Sequence, residues 1–224
     1  MRITHLGHAC LLVEVGDRRI LIDPGSFSPG FDGLVDVDTV VITHQHADHL
    51  DRERLPALLA GNPDARLLVE PQVHDLLAAG GVDSEPMTAG EPIDLDGVRL
   101  TPVGERHAVV HPYLPVIGNV GVVLQQGSAH GGAPRLYHPG DAYDGETGGA
   151  VDVLALPLSA PWAAVRETIA FVRRIAPTVA VPIHDATLSA AGRAMYLHHV
   201  ATYAGDATRL QDLADGRPWD VEPS

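Results

Sequence analysis

The sequence has one cysteine, no lysine and few aromatic residues. Cys10 alone permits no internal disulfide, and a reducing compartment is the expectation. Aromatic residues make up 4% of the chain, which leaves few platforms for stacking nucleic-acid bases. With lysine absent, all 15 basic residues are arginine; they face 29 acidic residues, and the formal net charge is -14. A surface of that sign repels phosphate backbones, so nucleic acid is not an expected partner. No run approaches the roughly 18 consecutive apolar residues that a membrane span needs. The opening stretch interleaves His5, Gly7, His8 and Glu14 with its apolar residues and does not read as a secretory leader. A cytoplasmic chain acting on a small molecule, away from membranes, is expected. No oligomeric state is specified.

What is present is enough apolar residue for a continuous core and an excess of histidine. Hydrophobic residues are 45% of 224, which suits one domain over 1–224 and excludes disorder as the main state. The first 25 residues read as a meander turning at Gly16-Asp17 and ending at Asp23-Pro24-Gly25. Thr39 to Ile42 is a short buried strand by its β-branched content, followed by a helix over 51–60. Arg66–Val69 reads as a strand, Gln72–Ala79 as a helix, and Asp96-Gly97 as the turn of a hairpin over 92–102. Strands are expected at 118–125, 134–138, 151–156 and 178–181, the last leading straight into Pro182-Ile183-His184. Helices are expected over 161–175, with Pro161 near its first position, over 189–203 and over 206–214, before a short tail. Two β-rich halves, each closed by helices, imply stacked sheets between helical layers.

Thirteen histidines need a positional explanation. His44-Gln45-His46-Ala47-Asp48-His49 directly follows a buried strand. Residues two apart in an extended segment point the same way, so His44 and His46 can converge on one cation. Once the chain turns, Asp48 and His49 can reach a second. Imidazole and carboxylate donors without thiolate suit Zn²⁺, Mn²⁺ or Fe²⁺. His5, His74, His130, His198 and His199 carry no such pattern, and Cys10 reads as packing in an apolar strand.

This motif, with others along nearly the whole chain, resembles the signature of the metallo-β-lactamase superfamily. Asp23 is similar to the family's acidic residue that buttresses the metal loop. His107, in Gly104-Glu105-Arg106-His107, matches the third-histidine motif, with His111 as a competitor four residues later. Asp141, after His138-Pro139-Gly140, matches the Gly-Asp motif, and His184 the final histidine. The opening Leu6-Gly7-His8-Ala9-Cys10 resembles the branch of ascorbate-6-phosphate lactonases and uncharacterised metal-dependent hydrolases. Ala108 and Ala142 depart from the small hydroxyl residues many relatives carry after the third histidine and the Gly-Asp.

The resemblance implies an α+β fold: a four-layer αββα sandwich of two mixed β-sheets flanked by helices. It also implies two divalent cations, zinc foremost, with manganese or iron as alternatives. One would take His44, His46 and His107, the other Asp48, His49 and His184, with Asp141 bridging. Such cations sit about 3.5–4 Å apart and share a water whose pKa falls toward about 7, which makes it the nucleophile. Asp48 is then the catalytic carboxylate, orienting that nucleophile and returning a proton to the leaving group. His8, Asp23, His111 and Tyr113 are expected around the ligands, as supports or substrate contacts. The segment His111-Pro112-Tyr113-Leu114-Pro115 suggests a lid with Tyr113 at its tip.

The expected function is metal-dependent hydrolysis of a lactone, ester or phosphodiester. True β-lactamase activity is disfavoured by the absent leader and by Asp141. A hydroxyacylglutathione-type glyoxalase would add a C-terminal region, and a nuclease a basic clamp or inserted domain. Electron transfer would need a further cofactor module. The alternatives are a metal-binding module without catalysis and a phosphodiesterase or nuclease of the same superfamily. Seven candidate ligands exceed the four that satisfy a structural site.

Overall fold

Alternation of side chains across strands sorts the apolar residues of this chain into two faces of each sheet. The computed structural model describes residues 1–127 and 133–222; His130 lies outside them. The chain opens as an antiparallel meander of β1 (Arg2–Gly7), β2 (Cys10–Val15) and β3 (Arg18–Ile22). The turn between β2 and β3 uses Gly16 at φ +59, a conformation that glycine adopts without steric cost. Parallel strands β4 (Thr39–Ile42), β5 (Arg66–Val69) and β6 (Glu85–Pro86) extend this sheet, with α1 (Leu55–Gly61) and α2 (Pro71–Ala79) as the crossovers.

The second sheet repeats the plan. β7 (Ile93–Asp94), β8 (Val98–Val103), β9 (Gly121–Gln126) and β10 (Arg135–His138) run antiparallel. β11 (Val153–Pro157), β12 (Val179–Ile183) and β13 (Arg209–Leu210) then add in parallel, crossed by α3 (Val165–Ile175) and α4 (Ala190–Tyr203). Finally β14 (Trp219–Asp220) returns to pair with β1, so each sheet has seven strands.

Period 2 explains the layers. Leu11, Val13, Ile20 and Ile22 turn inward and meet Leu100, Val122, Leu124, Val153 and Val181 of the other sheet. Leu12, Leu21, Val40 and Ile42 turn outward beneath Leu55, Leu58, Val73 and Leu77. On the far side Tyr137, Leu154 and Leu156 pack under Phe171, Val172 and Val200. The result is the expected αββα sandwich. Among the described residues, no helix is long and apolar enough to cross a membrane.

Two expectations fail at helix boundaries. Pro161 does not begin α3: Ala164 caps it, its N–H donating 2.7 Å to Glu167 Oε2, and Trp162 lies in the preceding loop. The anticipated helix over 206–214 is absent. Arg209 and Leu210 instead pair in parallel with Val179 and Ala180, because the open edge of β12 offers ladder hydrogen bonds that a short, weakly amphipathic segment cannot match by itself. The expected tail likewise contains β14. Leu124→Ala, which empties a fully buried position between the sheets, is predicted to cost about 2–5 kcal/mol in urea-unfolding free energy; a loss below about 1 kcal/mol would contradict this packing.

Candidate metal centre

Every candidate ligand sits where a strand of one sheet ends facing the other sheet. His44 to His49 follow β4, His107 follows β8, Asp141 follows β10 and His184 follows β12, while His8 occupies the β1–β2 turn. His8, Asp23 and His184 have φ of 49, 50 and 57, a left-handed conformation that L-residues adopt at a cost. The sharp turns these angles produce swing the side chains from the strand ends into one space. His184 N–H donates 2.8 Å to the His8 carbonyl, joining turns from opposite sheets.

Two groups of potential ligand atoms result. His44, His46, His107 and Asp141 form one; His8, Asp48, His49 and His184 form the other. Asp141 lies between them. Its Oδ1 is 3.1 Å from His49 Nε2 and 3.3 Å from His184 Nε2, and its Oδ2 is 3.4 Å from His107 Nε2 and 4.0 Å from His44 Nε2. His111 and Tyr113 do not join either group: Tyr113 is 92% exposed, and its ring lies beside His111, 5.1 Å between centroids. The histidine at this end of β8 that faces Asp141 is therefore His107.

For four of these imidazoles, His44, His49, His107 and His184, the opposite side of the ring is already held, which fixes the tautomer. His49 Nδ1–H donates 2.7 Å to Asp23 Oδ2. Thr43 Oγ1–H donates 2.7 Å to the same oxygen, so His44 Nδ1–H must donate to Thr43 Oγ1 at 3.1 Å. His107 Nδ1 donates to the Ala108 carbonyl at 2.6 Å and His184 Nδ1 to the Ser159 carbonyl at 2.7 Å. In their neutral form all four rings thus turn an Nε2 lone pair inward. The Nε2 atoms of His49, His107 and His184, with Asp141 Oδ1, are buried and lack a hydrogen-bond partner. Buried polar atoms are rarely left so, and imidazole with carboxylate oxygen is a donor set that divalent cations fit.

His8 differs. Its Nδ1 accepts the Ala186 N–H at 3.3 Å, so in the neutral ring Nε2 carries the proton and donates to Asp48 Oδ2 at 3.1 Å. A protonated Nε2 has no lone pair for a metal, and His8 supports Asp48. Burial also lowers its pKa, keeping the ring neutral.

Charges within the cluster are strongly coupled. Burial opposes a charge on His49, yet Asp141 and Asp23 outweigh it and hold its pKa well above the histidine norm. His184, under burial opposed by Asp141 and Asp48, is pushed up to about 9. Burial, reinforced by His49, holds His44 well below. Burial would raise the carboxyls of Asp48 and Asp141, but the surrounding imidazoles hold both well below the usual range.

Several supporting residues were not legible in the sequence. Trp162 Nε1–H donates 2.9 Å to Asp141 Oδ2, and Asn119 binds the same turn through Asp141 N–H at 2.9 Å and the Pro139 carbonyl at 2.9 Å. Buried His138 reaches the Ala9 carbonyl at 2.9 Å. A lone Asn or Trp in a loop carries no spacing signal.

The arrangement is a cluster of histidines and aspartates able to hold metal, at the seam of an αββα sandwich. A family model described as "Beta-lactamase superfamily domain" matches residues 2–184. Protein Rv0786c of Mycobacterium tuberculosis is 43% identical over 88% of this chain and 89% of its own length. A protein named UPF0173 metal-dependent hydrolase in Aeropyrum pernix is 31% identical over 83% of each chain. Among solved structures, Igni18 of Ignicoccus hospitalis, described as a metallo hydrolase, aligns over 99% of both chains with TM-score 0.73 at 21% identity. YhfI of Bacillus subtilis, a metallo-β-lactamase fold protein, aligns over 97% of this chain and 98% of its own with TM-score 0.74 at 12% identity. The chain belongs to the metallo-β-lactamase superfamily, with UPF0173 proteins among its relatives.

Two predictions follow from the proton inventory. In chelator-stripped protein, His184 titrates near 9 against about 6.5 unfolded, so its contribution to stability is full below pH 6.5 and disappears as pH rises through 9. Above pH 6.5 the lowered histidines are neutral and the lowered carboxylates ionised in both states, so the raised histidines act first, joined toward pH 9 by the buried Cys10 thiol. The thermal midpoint should therefore fall between pH 6.5 and 9, and fall less in His184→Asn; a flat profile would refute the assignment. Asp23→Asn, which removes the anionic acceptor behind His49, should weaken metal affinity by about 10–100-fold in chelator competition.

Proposed function

We propose that residues 1–224 form one cytoplasmic hydrolase domain that holds two divalent cations, zinc foremost, and hydrolyses a lactone, ester or phosphodiester small molecule. The carrying observation is the division of Asp141 between the two histidine groups, one oxygen toward His49 and His184 and the other toward His107. On this reading His44, His46 and His107 hold one cation, Asp48, His49 and His184 the other, and Asp141 bridges. When bound, such a pair supplies a Lewis acid for the scissile group and water activated near neutral pH.

The chain's own residues do the remaining work. Thr43, Asp23, Ser159 and Ala108 aim the imidazoles and fix their tautomers. Trp162 orients Asp141 from outside. His8 fixes Asp48 Oδ2, so the carboxylate keeps one orientation. Asp48 stays ionised among its neighbours and remains 23% exposed, open to substrate, where it can accept a proton from the attacking water and return it to the leaving group. No serine or cysteine nucleophile is needed; Cys10 is buried in β2 and its thiol is pushed well up by burial. The net charge of -14 supports a small-molecule substrate over nucleic acid.

Metal content by mass spectrometry, on dialysed protein purified without chelator, tests the reading. About two metals per chain are expected, falling in Asp141→Ala, with hydrolysis of at least one member of an ester, lactone and phosphodiester panel. His8→Asn should retain about two metals while losing turnover, as a support for Asp48 rather than a ligand. One tightly held metal indifferent to Asp141→Ala would indicate a mononuclear enzyme or a binding module. Protein that takes up no Zn²⁺, Mn²⁺ or Fe²⁺ would end the catalytic reading.

A further inference from the structure

The loop between β8 and β9 leaves the site at His107 and returns at Ile117. Its base is closed by His107 N–H donating 3.0 Å to the Ile117 carbonyl and by a bridge between Arg106 and Gly118. An internal turn, Leu114 N–H to the His111 carbonyl at 2.9 Å, shapes its tip. The loop is thus tied at its neck, in the manner of compact functional loops. Between it and the metal centre lies a cavity of about 210 Å³ whose floor is His46 and His107 and whose walls include Val109, Leu114, Val116 and Ile117.

Two properties of this cavity bear on substrate chemistry. No arginine or carboxylate lines its walls, so beyond the floor an anionic headgroup would meet only the His111 ring as a polar side chain. Apart from His111 its walls are apolar yet wet: Val109, Leu114 and Val116 are 60%, 53% and 57% exposed. Aliphatic surface held open beside polar reacting groups is the usual make-up of a small-molecule site, and covering it with an apolar group is favourable.

We propose that this cavity receives the uncharged acyl chain of a small ester or lactone, about six carbons long, so that chain length selects the substrate. The proposal rests on the hydrolase reading above and narrows it. An apolar cavity of about 150 Å³ holds a six-carbon ring, so one of about 210 Å³ has room for a chain of about six carbons. The reacting carbonyl then lies over His46 and His107, with the chain directed along the loop.

Calorimetric binding of acetate, hexanoate and glycerol 3-phosphate to the metal-loaded protein tests this without requiring turnover. At about fourfold per buried methylene, hexanoate should bind on the order of 10²-fold more tightly than acetate. In Val116→Asp the hexanoate-to-acetate ratio should collapse toward one, and in Leu114→Ala it should shrink; both residues are half-exposed, so the fold should tolerate the changes. Equal binding of the two carboxylates, or tightest binding of glycerol 3-phosphate, would overturn the proposal. Hydrolysis of p-nitrophenyl acetate and hexanoate, measured in parallel, separates the two readings. A hexanoate preference in binding with no ester, lactone or phosphodiester turned over would sink the hydrolase and keep the pocket. Turnover with no chain-length preference in binding would do the reverse.

Discussion

The buried carboxylate of Asp23 is the interaction on which the site depends. Fully shielded from solvent at the end of β3, it accepts from Thr43 N–H at 2.8 Å, from Thr43 Oγ1–H at 2.7 Å and from His49 Nδ1–H at 2.7 Å. A buried anion is costly unless such donors surround it. Here each donor belongs to the loop after β4, so satisfying the charge dictates that loop's course. The backbone follows closely. Ser26 N–H reaches the Ala47 carbonyl at 2.7 Å, and a Cβ on Gly25 would fall 1.7 Å from the Asp48 carbonyl oxygen. Glycine at 25 is therefore a consequence of how tightly the metal loop is drawn against the strand end.

The second sheet is registered to the first by bonds at the same edge. Val120 N–H donates 2.9 Å to the Thr43 carbonyl, His138 contacts the Ala9 carbonyl, and His184 N–H contacts the His8 carbonyl. Apolar packing between sheets is non-directional and tolerates small slips. These polar contacts do not, and they set His107, Asp141 and His184 opposite the loop after β4. Gly140 shows how close the approach is: its φ is +61, and a Cβ there would meet Asn119 Oδ1 at 2.2 Å.

The meander, the strands around it and the αββα layering were legible because period 2 and turn residues carry them locally. The His44–His49 cluster was legible because its ligands share one loop. His107, Asp141 and His184 needed the family resemblance, since each is a single residue at the end of a separate strand. Trp162 was hidden for a different reason. The residues from Pro161 read as the first turn of α3, whereas the Glu167 side chain caps the helix at Ala164 and frees Trp162 to reach Asp141. β13 and β14 are two-residue strands that exist only because β12 and β1 offer open edges, a tertiary fact with no local signature.

The same chemistry that readies the site makes it costly to fold. Three buried imidazole nitrogens and a carboxylate oxygen lack hydrogen-bond partners, and orphaned groups of this kind cost about 1–3 kcal/mol each. The left-handed backbone at His8, Asp23 and His184 adds about 1–3 kcal/mol at each position. Neither cost has a counterpart in the unfolded chain, where these groups are hydrated and relaxed. A ligand that binds only the folded chain offsets such costs through mass action, by about 2.7 kcal/mol at a hundredfold excess over its Kd. Residues aimed to accept a cation thus couple the stability of the whole sandwich to the loading of one edge. The buried supports on their far sides, Asp23 above all, keep that geometry in place before the cation arrives.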